Sequence, residues 1–151
     1  MKTSNIKDFE FLNLTTSDLG FKSYGKTLEE LFVNSAKALF SVICDINMVP
    51  KNKSIEFSIS GNPEDLLYDW LSKLLMFSDS EELFFSDFLV SLKRKNKEKD
   101  WKNDEFLLKA RCLGDFANPA YSRTEVKAIT MFNFQLKRTK YGFEAIVVVD
   151  V

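Results

Sequence analysis

A chain of 151 residues that is 45% hydrophobic and 14% aromatic, with 15 Phe, has one domain's length and enough apolar material for a full core. Its 21 basic and 22 acidic side chains leave a net charge of -1, which argues against non-specific nucleic-acid or membrane-surface binding. No run approaches the ~20 apolar residues of a membrane span, and the first ten residues lack the apolar core of a secretory signal. Cys44 and Cys112 lie far apart with no CxxC, and read as buried packing residues in a reducing compartment, the cytoplasm. The chain has no histidine. Ser-His-Asp and Cys-His catalysis, zinc helices of the HExxH type and histidine acid/base chemistry are therefore excluded. Metal chemistry, if any, belongs to carboxylate and carbonyl oxygens, which suit Ca²⁺ or Mg²⁺.

In chain order, Phe9-Glu10-Phe11-Leu12-Asn13-Leu14 has strand character and leads through a polar turn ending at Asp18 into a second extended run, Leu19 to Tyr24. Thr27 and Glu30 form a capping box that opens a helix. Its inward stripe is Leu28, Leu31, Phe32, Ser35, Ala36, Leu39, Phe40 and Ile43, and it ends near Cys44. Ile55, Phe57 and Ile59 alternate as a half-exposed strand stopped by Gly61. Asn62-Pro63 starts a second helix that runs to about Ser78 on a wide apolar face and is expected to be the more buried of the two.

Leu83 to Leu92 reads as a strand, with Phe106, Leu108, Ala110 and Cys112 as its partner. Between them, Lys93 to Glu105 sets six basic and four acidic residues around Trp101. A basic loop with a stacking tryptophan would suit RNA. The interspersed acids dilute that field and favour a solvated hairpin tip. In the final stretch, Val126, Ala128, Thr130, Phe132, Phe134 and Leu136 share one parity as an inward row, with Lys127 on the other. After Gly142 a β-branched run closes on Asp150 and Val151.

The order ββαβα followed by four strands predicts a single α+β domain over residues 1–151. Two helices cannot cover both faces of a sheet of about seven strands. The expectation is two layers, both helices on one side of a mainly antiparallel or mixed sheet. Asp18, Asp150 and the Val151 carboxylate would converge on one sheet edge if the first and last strands are neighbours. Such a cluster calls for a cation or for Lys127 nearby.

The chain resembles the archease family along nearly its whole length. The resemblance is carried by Phe9-Glu10-Phe11-Leu12-Asn13-Leu14-Thr15 with Ser17-Asp18, and by Tyr24-Gly25-Lys26-Thr27-Leu28-Glu29-Glu30-Leu31-Phe32. Ala38-Leu39-Phe40, Asp65 to Leu71, Thr124 to Thr130 and the Asp150 end complete it. Three departures stand out: Leu14 where the family has histidine, an inserted Thr16, and Met131-Phe132 where an aromatic and a histidine often follow. The resemblance implies a non-enzymatic cytoplasmic partner of the GTP-dependent tRNA-splicing ligase of the RtcB type, promoting guanylylation of the ligase and its turnover. It further implies a divalent metal, Ca²⁺ or Mg²⁺, on Asp18, Asp150 and the Val151 carboxylate. Lys127 falls at the strand lysine linked to activity, and direct nucleic-acid binding is not expected. Two other readings remain open: an interaction or chaperone-like module without the metal, and a small metal-dependent phosphoesterase.

Overall fold

The computed structural model describes residues 7–14 and 18–151, the Asn13 side chain apart. Residues 15–17, with the inserted Thr16, lie outside the described residues. Seven strands and two helices follow in the expected order: β1 (Phe9–Asn13), β2 (Asp18–Gly25), α1 (Leu28–Ile43), β3 (Lys53–Gly61), α2 (Pro63–Glu81), β4 (Leu83–Arg94), β5 (Phe106–Phe116), β6 (Ala128–Thr139) and β7 (Gly142–Asp150). The α+β class stands, and every strand pair is antiparallel. The strands divide into two sheets, ordered β1-β2-β7-β6 and β3-β5-β4. No helix among the described residues is long and apolar enough to cross a membrane.

The two helices start where the sequence places them. Thr27 Oγ1 accepts from the Glu30 N–H at 3.1 Å, and Glu30 reaches back to the Lys26 N–H at 3.0 Å. Pro63 opens α2, and Glu82 closes it in the left-handed conformation at φ 55°. The expectation that α2 is the more buried helix is wrong. Eleven of the 16 residues of α1 are buried against eight of the 19 of α2. Both helices touch both sheets, α1 through β2 and β7 of one and β4 of the other, α2 through β6 of one and β3, β4 and β5 of the other, and α1 presents the larger buried face. Its buried polar side chains are spent on keying it to β2. Ser35 and Ser23 share a hydroxyl hydrogen bond of 2.7 Å, and Asn34 Nδ2 donates to the Tyr24 carbonyl at 2.7 Å.

α2 guards the outer edge of β6. Glu64 accepts the Leu136 N–H at 3.1 Å and Tyr68, one turn on, donates to the Ile129 carbonyl at 3.2 Å. Unpaired strand-edge groups are thereby satisfied, which blocks sheet extension at those positions. Trp70, fully buried, donates from Nε1 to the Phe32 carbonyl at 2.9 Å and joins the helices. Cys44 and Cys112 are buried and free, and burial pushes both thiols up to about 12, as packing residues should be.

The β4–β5 hairpin tip is solvated, as expected, with Lys95 to Asp100 all exposed, but one side of it is anchored. Trp101, in a single 3-10 turn, packs edge-on to Phe143 of β7 with ring centroids 5.2 Å apart. That contact seats a half-buried ring against the other sheet, so a solvated tip surrounds an anchored tryptophan. Asp104, fully buried, organises the loop. Arg94 Nε donates to Oδ2 at 2.7 Å, and the Asn96 and Glu105 N–H groups donate to Oδ1 at 3.1 and 2.9 Å. Asn62 leaves the helix cap unfilled to donate instead to the Asp104 carbonyl at 3.2 Å.

Burial by itself raises the Asp104 pKa; the Arg94 hydrogen bond, the two N–H donors and the Arg94 charge outweigh it and hold the carboxyl below its ordinary 3.8. A lowered pKa in the folded chain means stability that is complete above the ordinary value and lost as pH falls through the lowered one. Asp104→Asn is predicted to lower the Tm at pH 7, with the gap to wild type closing as the pH is taken below 3.8. Thermal melts at both pH values check this, and a gap that stays constant would refute it. Gly114 faces Phe84 across the β4 irregularity, where any Cβ would run into the Phe84 carbonyl. Gly114→Ala is predicted to cost about 1–3 kcal/mol, read from chemical denaturation. An unchanged midpoint would mean that β4 yields freely there.

Candidate functional site

The β2–β7 ladder decides where the candidate residues go. Its register runs from Asp18 opposite Asp150 to Gly25 opposite Phe143. Along β7, Ala145, Val147 and Val149 are buried in the core, so the alternate residues Glu144, Ile146, Val148 and Asp150 point to the outer face, where Val148 is itself covered. The same parity on β2 puts Asp18, Lys22 and Tyr24 outward. Asp18 and Asp150 are therefore direct cross-strand neighbours on one face, with Cβ atoms about 5 Å apart by ladder geometry. On the other side of Asp150 stands Ala128 of β6, whose small side chain leaves that flank open.

The convergence expected of the chain's two ends is found, and it is made by β2 and β7 rather than by β1. Lys127 reaches the same edge. Its N–H donates to the Asp150 carbonyl at 2.7 Å, and the residue is exposed. Val151 follows Asp150 directly and is half-buried against the core. Asp18, Asp150, Lys127 and Val151 are thus brought within one strand end.

The inward row expected for β6 holds at Val126, Phe134 and Leu136, which are buried, and fails between them. Ile129 is buried, whereas Ala128 is exposed and Thr130 half-buried. From Thr130 to Gln135 β6 takes five steps while β7 takes two, from Val148 to Ile146, and this odd excess inverts the parity. Asn133 absorbs the bend at φ 53°. Beyond it Phe134 and Leu136 turn inward, while Met131 and Phe132 stand out, 59% and 65% exposed. Leu14, half exposed, lies over Gly20, where a Cβ would meet its Cδ1 at 2.9 Å. The carboxylate edge is thus flanked by apolar side chains, Leu14 on the β1 side and Met131-Phe132 on the β6 side. Sequence reasoning marked the last two as a departure and set Phe132 on the inward row; their exposure follows from the bulge, which periodicity alone does not reveal.

As a cation site the edge offers hard oxygen donors of the kind Ca²⁺ and Mg²⁺ take. Two side-chain carboxylates meet here, and among the described residues no group of three or more acidic, cysteine or histidine side chains is placed to hold a metal. Any further ligands would come from backbone or terminal oxygens, of which the Val151 end is adjacent.

Comparison with known proteins agrees with this architecture. A profile of the archease protein family matches residues 9–151. The protein archease of Methanosarcina barkeri is 37% identical over 153 residues, covering 99% of both chains. That of Methanothermobacter thermautotrophicus is 34% identical, covering 97% of this chain and all of its own. A solution structure of a Methanobacterium thermoautotrophicum protein superposes with a TM-score of 0.78 at 31% identity, covering 97% of this chain and 100% of that one. A crystal structure from Thermotoga maritima, described as an archease and possible chaperone, shares the fold with a TM-score of 0.58 at 18% identity, over 91% and 93% of the two chains. None of these is named as an enzyme. With a full-length family match, relatives above 30% identity and the same two-helix, two-sheet fold, the chain belongs to the archease family.

Proposed function

We propose that this protein is a non-enzymatic cytoplasmic cofactor of a GTP-dependent RNA ligase of the tRNA-splicing type, promoting the ligase's guanylylation and turnover. The observation that carries the reading is the register of β2 against β7, which sets Asp18 opposite Asp150 with Lys127 bonded to the Asp150 backbone. Asp18, Asp150 and the Val151 carboxylate would hold Ca²⁺ or Mg²⁺. When bound, the cation supplies positive charge that fixes the ends of the two strands in one geometry. Lys127, anchored through its backbone, presents an ammonium group to the ligase or its nucleotide. Leu14 and Met131-Phe132 frame the contact with apolar surface.

The alternative is an interaction or chaperone-like module of the same fold that works without metal. It is favoured by the small number of acidic side chains at the edge and by Leu14.

Adding this protein with Ca²⁺ to a cognate ligase is predicted to raise the rate of ligase guanylylation. Asp18→Ala, Asp150→Ala and Lys127→Ala should each lose most of that effect while keeping the far-ultraviolet circular dichroism of the wild type. Unchanged ligase kinetics on addition of wild-type protein would eliminate the activator role. Metal binding is tested separately by thermal shift. Ca²⁺ at about 100 times its Kd stabilises a folded site by about 2.7 kcal/mol, which for a chain of this size is about 5–10 °C in Tm. The shift should vanish in Asp150→Asn. Its absence in wild type with both Ca²⁺ and Mg²⁺ would select the metal-free module.

A further inference from the structure

The far end of the four-stranded sheet carries a feature that the carboxylate edge does not use. Where β2 runs into α1 and where the β6–β7 hairpin turns, a cavity of about 590 Å³ opens. Seven residues of β2 separate it from Asp18, about 23 Å at strand rise. Its volume lies within the span of small-molecule sites, about 300–1,000 Å³. Tyr24, Tyr141 and Phe143 give it aromatic walls, and Lys7, Lys26, Glu10, Glu30 and Glu144 are its charged lining.

The charges settle which kind of ligand fits. Glu10 accepts the Tyr24 hydroxyl at 2.5 Å. That bond, with the Lys7 and Lys22 charges, outweighs burial and holds the Glu10 carboxyl below its ordinary range. Glu144, 14% exposed, lies between the ammonium groups of Lys22 at 3.6 Å and Lys137 at 3.4 Å. Glu30 is engaged by the Lys26 N–H in the α1 cap. Glu10 and Glu144 are therefore offset by lysines of the chain, and Glu30 is held in the helix cap. Lys26, beside the positive end of α1, enters no ion pair among the described residues. Tyr141 is 80% exposed at the hairpin tip, so packing does not account for an aromatic there.

We infer that this cavity is a second binding site, for a small organic anion with a flat aromatic ring. The ring lies against Tyr141 and Phe143 and the anionic group is met by Lys26. The anion can be a carboxylate or a phosphate, since the chemistry on the page is common to both. The site is independent of the activator reading, which concerns the other end of the sheet.

The test is a titration of the ¹⁵N-labelled full chain followed by its amide resonances. The probes are indole-3-acetate and adenosine 5′-monophosphate, their neutral counterparts indole-3-acetamide and adenosine, and the cation tryptamine. Saturable shifts confined to Gly25, Lys26 and residues 139–143 are expected with at least one anion. That anion should bind about tenfold more tightly than its neutral counterpart, the worth of one modest charge interaction. The tighter of the two anions identifies carboxylate or phosphate as the better head group. Tyr141→Ala and Lys26→Ala, both at exposed positions, should each weaken binding about fivefold or more. Asp18→Ala should leave it unchanged and so separates this site from the carboxylate edge. No saturable shift from either anion up to about 10 mM, where a millimolar Kd would show, overturns the proposal. So would tryptamine binding more tightly than the anions, or Lys26→Ala binding like wild type.

Discussion

The pairing of β2 with β7 is the constraint on which the rest of the structure depends. Its inner face supplies Phe21, Ala145, Val147 and Val149, all fully buried, as a floor for α1. Its outer face carries Asp18 and Asp150 at one end and Tyr24 and Glu144 at the other. Because strand side chains alternate, a slip of one residue would turn Asp18 and Asp150 into the core and expose the valines. Burying uncompensated carboxylates costs far more than any contact such a slip could gain. The apolar core therefore holds the two acids in place, and α1 adds a second lock. The Ser23–Ser35 and Asn34–Tyr24 hydrogen bonds fix its position along β2, so helix and ladder cannot slide independently.

Much of this was legible in local chemistry. A capping box and a proline at the first helical position mark both helix starts, and each is found where it was read. The convergence of Asp18 with the chain's end was legible only as a condition, that the first and last strands be neighbours, and the β2–β7 ladder meets it. What escaped the sequence is non-local. Nothing in the alternation of β3, β4 and β5 says that they pair only with one another, so seven strands read as one sheet when they form two. The contact of both helices with both sheets follows from that split and was equally hidden. The β6 bulge escaped for a different reason. Met131 and Phe132 continue the apolar pattern through the break, so the inversion of parity leaves no mark in the composition.

Trp101 teaches the converse. An exposed-looking tryptophan among lysines invites a nucleic-acid reading, yet its partner Phe143 belongs to a strand of the other sheet. The buried Asp104 explains how a charged hairpin tip can be held there. Arg94 and two backbone N–H groups satisfy the carboxylate, and Asn62 ties the backbone of the same residue to the start of α2. The acids that made the loop look merely solvated include the residue that orders it.

The placement of both acids at a strand terminus is what makes a cation site compatible with this core. Mid-strand, outward carboxylates have ladder neighbours on both sides along the strand, as Glu144 does, and those neighbours neutralise it: Lys22 and Lys137 lie within 3.6 Å. At the terminus the next positions are Lys127, whose N–H donates to the Asp150 carbonyl, and Val151. The same ladder thus treats its acids in two ways according to where they fall. Inside it Glu144 is paired with two lysines, and at its end Asp18 and Asp150 face each other across the strands. Leu14 sharpens the contrast. Lying over Gly20, it contributes neither a donor nor a charge, so on the β1 side the edge has an apolar boundary.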